Sequence, residues 1–172
     1  MPKGPGKSQR DHRRGGKPVE KEFSTVTLDM RRVARVVAGG RRFSFRATVV
    51  IGDRKGRVGV GVAKGKDASA SIEKATRVAK KSLIRVPIVN GTIPYEVYAK
   101  YKASTVLLRP AMGGKGIVAG GPIRTVCEAA GIRDVTAKIT SRTTNRLTNA
   151  RAALAALSIL ERRYRIAGGR NR

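Results

Sequence analysis

The chain has 172 residues, of which 38 are Lys or Arg and 11 are Asp or Glu, so its formal net charge is +27. A compact fold with this charge repels itself unless an anionic partner neutralises it, and the cations are spread along the whole chain. This distribution favours a protein embedded in nucleic acid over one that touches it at a single face. Aromatic residues make up only 4% and Trp is absent, so phosphate contact is expected to dominate over base stacking.

The rare residue types exclude several classes of site. The single cysteine, Cys127, rules out an internal disulfide and any multi-cysteine zinc site, and it is expected to be a core residue. The single histidine, His12, lies in a Gly-rich basic segment and is a poor catalytic base. No apolar run approaches the ~18–20 residues of a membrane-spanning helix, and no leader pattern opens the chain. We therefore expect a protein of the cytoplasm or of an organelle interior, with no membrane partner, no metal and no cofactor.

Both ends of the chain are basic and poor in apolar residues. Both ends are predicted to be disordered, residues 1–22 as a flexible basic arm and residues 161–172 as a basic tail. The alternatives are RNA contact or two solvated ends without a partner.

Residues 23–86 begin with β patterns. Apolar residues alternate over 25–30 and again over 42–51, and the second stretch leads through a turn at 53–56 into a strand at 57–64, which predicts a hairpin. Phe43 and Phe45 are expected to pack in the core rather than stack on bases, because they share a face with the apolar residues Ala47, Val49 and Ile51.

A helix is predicted after this hairpin. Asp67 is a candidate N-cap, and small or apolar residues then recur at spacings of three and four. A three-stranded sheet covered by this helix would form one compact unit. The apolar face comprises Ile72, Ala75, Ala79 and Leu83, and the opposite face carries Lys74, Arg77 and Lys81.

Residues 87–160 form a second predicted unit. Asn90-Gly91 is a strong signal for a two-residue hairpin turn, and strands are predicted at 105–109 and 135–140. Helices are predicted at 122–130, where Pro122 suits the first helical position and Gly131 ends the helix, and at about 145–160.

Two glycine-rich stretches superficially resemble nucleotide-binding motifs. Residues 114–119 satisfy a loose dinucleotide pattern with Asp134 downstream, but the predicted helix starts after the pattern instead of within it. Residues 61–66 are one residue short of a P-loop, and Asp67 replaces its Ser or Thr. Because the acidic residues are few and scattered, no catalytic site is predicted.

Three glycine pairs offer close backbone approach instead. Without a Cβ atom these pairs can adopt positive φ and admit a phosphate or another chain, and the helix starting at Pro122 presents amide groups that favour an anion. The alternative is ordinary tight turns without a ligand. The pairs are Gly39-Gly40, Gly113-Gly114 and Gly120-Gly121, and their cationic neighbours are Arg41, Arg42, Lys115 and Arg124.

Longer stretches resemble a known family. The residues from Arg32 to Phe45 (RVARVVAGGRRFSF), with Gly52-Asp53 and Gly56 to Gly59, are similar to the first domain of small-subunit ribosomal protein five. Pro110-Ala111 and the run from Gly116 to Arg124 (GIVAGGPIR), followed by EAAG at 128–131, are similar to that family's second domain. The resemblance covers about residues 23–157. One departure is that Arg146 follows Asn145 where the family often has Pro, which adds a cation before the last helix.

The resemblance implies an α+β protein: a double-stranded-RNA-binding-like domain over 23–86 and an α/β two-layer domain over 87–160. It also implies a structural constituent of the small ribosomal subunit, not an enzyme, that binds ribosomal RNA and contacts ribosomal proteins four and eight. In the family the loop matching residues 33–42 reaches RNA, and the stretch matching residues 113–124 meets protein four and influences decoding accuracy. Family members also lie near the point where messenger RNA enters the subunit.

The expected RNA-binding set follows from charge, position and this resemblance. Rival classes are an architectural DNA binder, which the charge alone allows, and an RNA-processing enzyme. The predicted RNA-binding residues are Arg31, Arg32, Arg35, Gly39, Gly40, Arg41, Arg42, Arg54, Lys55, Arg57, Lys64, Lys66, Lys115, Arg124, Arg142 and Arg146, and the predicted protein-interface residues are Gly113, Gly114, Gly116, Gly120 and Gly121.

Overall fold

A computed structural model describes residues 23–168 of the chain. The predicted arm at 1–22, with His12, and the last residues of the predicted tail lie outside the described residues. Among the described residues no helix is long and apolar enough to cross a membrane.

The first sheet is antiparallel, with strand order β1-β2-β3-β4. The fourth strand, which pairs with β3 for only two residues, was not predicted. The first strand runs well past residue 30, where its apolar alternation ends. The strands are β1 (Ser24–Val37), β2 (Gly40–Gly52), β3 (Arg57–Gly65) and β4 (Ile84–Arg85).

Helix α1 (Ala68–Lys81) packs against one face of this sheet. Glycines on β3 allow the helix to come close, since a Cβ atom at Gly61 would lie 2.1 Å from the carbonyl oxygen of Ala75. The predicted helical face is confirmed, because Ala75 and Ala79 are fully buried against β2 and β3. Asp67 occupies the N-cap position, but its side chain makes no capping hydrogen bond.

The second sheet is mixed, with strand order β5-β6-β8-β7 and a parallel pair between β7 and β8. Strand β5 was not predicted. The predicted hairpin at Asn90-Gly91 is reduced to a turn with one bridge, between Val89 and Thr92. The strands are β5 (Val97–Tyr101), β6 (Ser104–Pro110), β7 (Ile117–Val118) and β8 (Val135–Ile139).

Two helices cover this sheet, and their caps follow the sequence signals. Helix α2 (Gly121–Ala130) ends at the predicted Gly131, which adopts the left-handed conformation. Helix α3 (Arg146–Ile166) begins after Asn145, whose side chain accepts a hydrogen bond from the amide of Leu147. It continues past residue 160, so the expectation of a disordered tail is wrong for residues 161–166, which are helical.

One hydrophobic core joins the two units. Val50, Val58 and Val60 of the first sheet belong to the same buried cluster as Ile123 and Leu157 of the helices. The first sheet is therefore covered on both faces, by α1 on one side and by α2 and α3 on the other. The α+β architecture is confirmed, while the boundary near residue 87 stays a prediction.

Cys127 is fully buried in this shared cluster, as predicted. Burial in apolar surroundings, with a smaller contribution from the charge of Glu128, raises the pKa of its thiol to about 12. The thiol is therefore a packing group and not a nucleophile.

Candidate nucleic-acid interface

The hairpin formed by β1 and β2 extends beyond the rest of its sheet. The two strands pair as far as Val37 and Gly40, but β3 stops pairing with β2 at Phe45. Five residue pairs, 33–37 with 40–44, therefore project without a third strand, a length of about 17 Å. Residues 31–46 are called the ribbon below. The segment expected to be a loop at 33–42 is mostly paired strand, with its turn at Ala38 and Gly39.

One side of the ribbon, the arginine face, places cations directly opposite one another. Arg31 pairs across the strands with Arg46, and Arg35 pairs with Arg42. Arg31 donates from Nε to Asp29 Oδ2 at 2.8 Å, but within residues 23–168 no ion pair is seen for the pair Arg35 and Arg42. Like charges directly opposite in a sheet are destabilising. An anion placed over this face would remove that repulsion.

The other side, the aromatic face, combines rings with guanidinium groups. Phe43 is 49% exposed, so the expectation that it packs in the core is wrong. The physical reason is position: α1 covers the part of β2 that pairs with β3, and Phe43 lies beyond that part. The guanidinium carbon of Arg32 lies 3.8 Å from the centroid of the Phe43 ring, a cation–π contact.

The tip of the ribbon is open. A Cβ atom at Gly39 or Gly40 would meet nothing within 4 Å, and Gly40 has a φ of +129°. Arg41 and Arg42 follow directly and are exposed. The predicted site residues of the ribbon are thus brought together on one free-standing element.

The second basic hairpin, at residues 53–56, is packed instead of open. The amide of Arg54 donates to the carbonyl of Ala129 at 3.0 Å, and that of Gly56 donates to the carbonyl of Ala130 at 2.8 Å. These bonds satisfy carbonyls at the C-terminal end of α2. The backbone of this turn therefore joins the two units, whereas the side chains of Arg54 and Lys55 remain exposed.

Asp53 holds the shape of this turn. Its carboxylate accepts hydrogen bonds from the amides of Lys55 and Arg57 and from Arg57 Nε, the last at 2.6 Å. Burial alone raises the pKa of Asp53, but these hydrogen bonds and the charge of Arg57 outweigh it, so the pKa lies below its ordinary 3.8. Arg57 is therefore engaged with Asp53 as well as lying over the Phe23 ring.

The remaining predicted cations are scattered over the surface. Arg124 pairs with Glu128 one turn along α2, at 2.9 Å. Arg146 donates from Nη1 to the carbonyl of Leu28 at 3.2 Å, where the pairing of β1 with β2 is irregular, so this cation links α3 to the first sheet. The other predicted cations are exposed: Lys64, Lys66, Lys115 and Arg142.

The glycine-rich loop before α2 has a defined anchor. The buried carboxylate of Asp134 accepts a hydrogen bond from the amide of Gly116 at 2.7 Å, and Gly114 and Gly116 have positive φ. Asp134 is thus a structural residue. Gly113 and Gly114 face open space.

Gly120 and Gly121 differ from the other two pairs. Neither has positive φ, and the carbonyl of Gly120 accepts from the amides of Ile123 and Arg124. The expectation of free amides at this helix start is therefore wrong for the amides of Ile123 and Arg124.

Helix α2 starts after the dinucleotide-like pattern, and no cluster of potential metal ligands occurs among residues 23–168.

Sequence reasoning missed two members of the ribbon. Arg46 was not among the predicted cations, although it lies opposite Arg31, and Phe43 was assigned to the core. The sequence carries a signal for Phe43, because a strand at 57–64 folded back across the turn at 53–56 reaches only to about residue 45. Arg46 is marked in the sequence only by its charge.

The fold and this surface define a class: a basic α+β protein whose core presents a cationic ribbon.

Family models for ribosomal protein S5 match the chain. The model of the N-terminal domain matches residues 23–87, and the model of the C-terminal domain matches residues 99–170. Similar proteins named small ribosomal subunit protein uS5 occur in Persephonella marina, 49% identical over 81% of this chain and 72% of the relative, and in Treponema denticola, 48% identical over 76% and 75%. The Lawsonia intracellularis protein of that name is 46% identical over 80% and 84%.

The chain belongs to the ribosomal protein S5 family. This confirms the recognition made from the sequence and the structural role in the ribosome that it implied. The family is one of structural proteins and not of enzymes.

Proposed function

We propose that this protein is a structural constituent of the small ribosomal subunit, which binds the ribosomal RNA of that subunit chiefly through the ribbon. The observation that carries the proposal is the direct opposition of Arg35 and Arg42 on a ribbon that projects from the fold. Such a pair lowers the stability of the free protein and is compensated when phosphates lie over it.

The remaining exposed cations extend this surface. Lys64 and Lys66 lie at the end of β3, next to the base of the ribbon, since Gly65 pairs with Phe45. Arg54 and Lys55 lie at the opposite end of the sheet and provide secondary contacts. Since A-form RNA displays backbone and 2′-hydroxyl groups more readily than base identity, these cations recognise shape and phosphate.

A charge reversal tests the ribbon directly. Arg41→Glu with Arg42→Glu should weaken binding to small-subunit ribosomal RNA and reduce incorporation into the subunit, measured by filter binding and sucrose-gradient sedimentation. The matched control is Lys74→Glu with Arg77→Glu on the exposed face of α1, which changes the net charge equally. Equal loss in both variants, or normal incorporation of the ribbon variant, would remove the ribbon from the account. Preference for duplex DNA at matched salt would favour an architectural DNA binder.

The second unit is proposed to contact protein neighbours. Ribosomal protein four is proposed to meet residues 113–124, and support comes from the exposed loop, in which Met112 is 88% exposed and Gly113 and Gly114 leave room for another chain. Ribosomal protein eight is a further proposed neighbour, as is messenger RNA near the point where it enters the subunit. If residues 113–124 influence decoding accuracy, Lys115→Glu should change the rate of stop-codon readthrough in a reporter strain, and an unchanged rate would count against that influence.

A further inference from the structure

We infer that the aromatic face of the ribbon is a binding site for one unpaired nucleobase of the RNA, distinct from the phosphate contacts of the arginine face. This inference rests on the proposed function, because it requires the ribbon to lie against RNA. It concerns what the second side of that ribbon recognises.

The first observation is a half-exposed aromatic ring that lies outside the hydrophobic core. Phe43 lies beyond the end of β3 and beyond the cover of α1, and 49% of it is exposed. Phe43 pairs directly with Ala34 across the strands, and the methyl side chain of Ala34 is too small to cover the ring. An exposed ring on a projecting element is costly in water unless a partner covers it.

The second observation is the guanidinium held against that ring. Arg32 lies over Phe43 with its guanidinium carbon 3.8 Å from the ring centroid, within stacking distance. A guanidinium plane and an aromatic ring are the two surfaces on which proteins stack unpaired bases in RNA. Arg32 therefore covers one face of the Phe43 ring, and a base would stack on the outer side of this ordered Arg32–Phe43 pair, which is called the platform.

The third observation is the arrangement around this platform. Val36, 74% exposed, continues the apolar strip towards the tip, and Arg41 lies directly opposite it. A base stacked on the platform would thus have a cation within reach of its own phosphate. The open surroundings of Gly39 and Gly40 let the sugar–phosphate chain pass the tip.

These features select an unpaired base over a duplex. In a double helix the faces of the bases are hidden by their neighbours, so only a bulged or looped-out base can stack on the Arg32–Phe43 pair. The arginine face, by contrast, carries the opposed cations and no aromatic ring. Binding through the arginine face should therefore depend mainly on salt concentration. Binding through the aromatic face should depend mainly on the presence of an unpaired base.

The test compares two RNA stems of equal length, one fully paired and one carrying a single bulged 2-aminopurine. The full-length protein should prefer the bulged stem by about tenfold and quench 2-aminopurine fluorescence, as expected for one base stacked on an aromatic group. Phe43→Leu should lose the preference and the quenching but keep the same slope of log K against log salt. Phe43→Tyr should keep both.

Two further variants separate a loss of base binding from a loss of folding. Arg32→Lys keeps the charge but removes the planar group, so the preference should fall while thermal unfolding is unchanged. Arg35→Gln with Arg42→Gln should weaken binding to both stems equally. An equal affinity of the wild-type protein for the two stems, or a preference that survives Phe43→Leu, would overturn the inference and indicate that Phe43 docks elsewhere, as on a protein neighbour. Binding to neither stem nor to ribosomal RNA would instead contradict the proposed function itself.

Discussion

Strand β2 carries a basic, glycine-containing hairpin at each end, and the two hairpins have opposite surroundings. At the tip of the ribbon, Gly39 and Gly40 have nothing near them. At the other end, a Cβ atom at Gly52 would lie 2.0 Å from the carbonyl oxygen of Ala129, and one at Gly131 would lie 2.1 Å from that of Arg54. Similar sequence signals thus mark an open, projecting tip in one place and a joint between two units in the other.

This difference shows that a glycine near arginine in the sequence of a basic protein can have two structural roles. Where the backbone amides of the turn donate to the end of α2, glycine is required for close packing. Where the turn projects into open space, glycine leaves the approach clear for a partner. The surroundings, and not the composition, distinguish the two.

The largest difference in stability between the two hairpins is expected when the same Gly→Ala substitution is made in each. Gly52→Ala should lower the free energy of unfolding by about 3 kcal/mol, or about 10 °C in Tm, because the new methyl group collides with the backbone of α2. Gly39→Ala should change the Tm by no more than about 2 °C, because its surroundings are open. Differential scanning calorimetry measures both, and similar losses would show that the two turns are equally packed.

A smaller effect is expected at Asp53. Asp53→Asn should cost about 1–3 kcal/mol, because it weakens hydrogen bonds to Arg57 and to the turn amides. Since the folded pKa lies below the ordinary 3.8, the carboxylate stabilises the fold above that value and loses this contribution as the pH falls through the lowered pKa. Urea unfolding at pH 7 and near pH 3 should therefore give a difference between wild type and variant that shrinks at low pH. A difference independent of pH would contradict the assigned role of the charge.

The smallest effect is expected on the arginine face. Arg35→Gln with Arg42→Gln should leave the free energy of unfolding unchanged or raise it by about 0.5 kcal/mol, because two opposed like charges are removed. Chemical denaturation at low salt gives the value. Clear destabilisation would mean that these side chains hold the fold together and are not reserved for an anionic partner.

Much of the fold could be predicted because its signals are local. The Pro122 start and Gly131 end of α2, the start of α3 near Asn145 and the small-residue face of α1 each depend on residues close together in the sequence. The turn at 53–56 was also predicted, but its packing on α2 was not, because that contact joins residues far apart in the sequence.

The errors in β1 and β2 share one cause: the neighbouring elements, and not the strand's own pattern, decide which of its residues are buried. Alternation in 42–51 correctly placed Ala47, Val49 and Ile51 in the core, yet Phe43 obeys the same alternation and is exposed because the helix does not reach it. The outer half of β1 was missed because both its faces carry arginine and no buried side exists there. Charge and the family resemblance singled out the candidate RNA-binding residues, but only the pairing register divided those of the ribbon between an arginine face and an aromatic face.

The most direct test of the central claim is the salt dependence of binding to small-subunit ribosomal RNA for two doubly neutralised variants of the full-length protein. If Arg35 and Arg42 contact phosphates, Arg35→Gln with Arg42→Gln should reduce the slope of log K against log salt by about 1.4–1.8. Arg54→Gln with Lys55→Gln, which removes the same charge from the packed hairpin, should reduce it by clearly less. Equal reductions in the two variants, or no reduction in the first, would contradict the account.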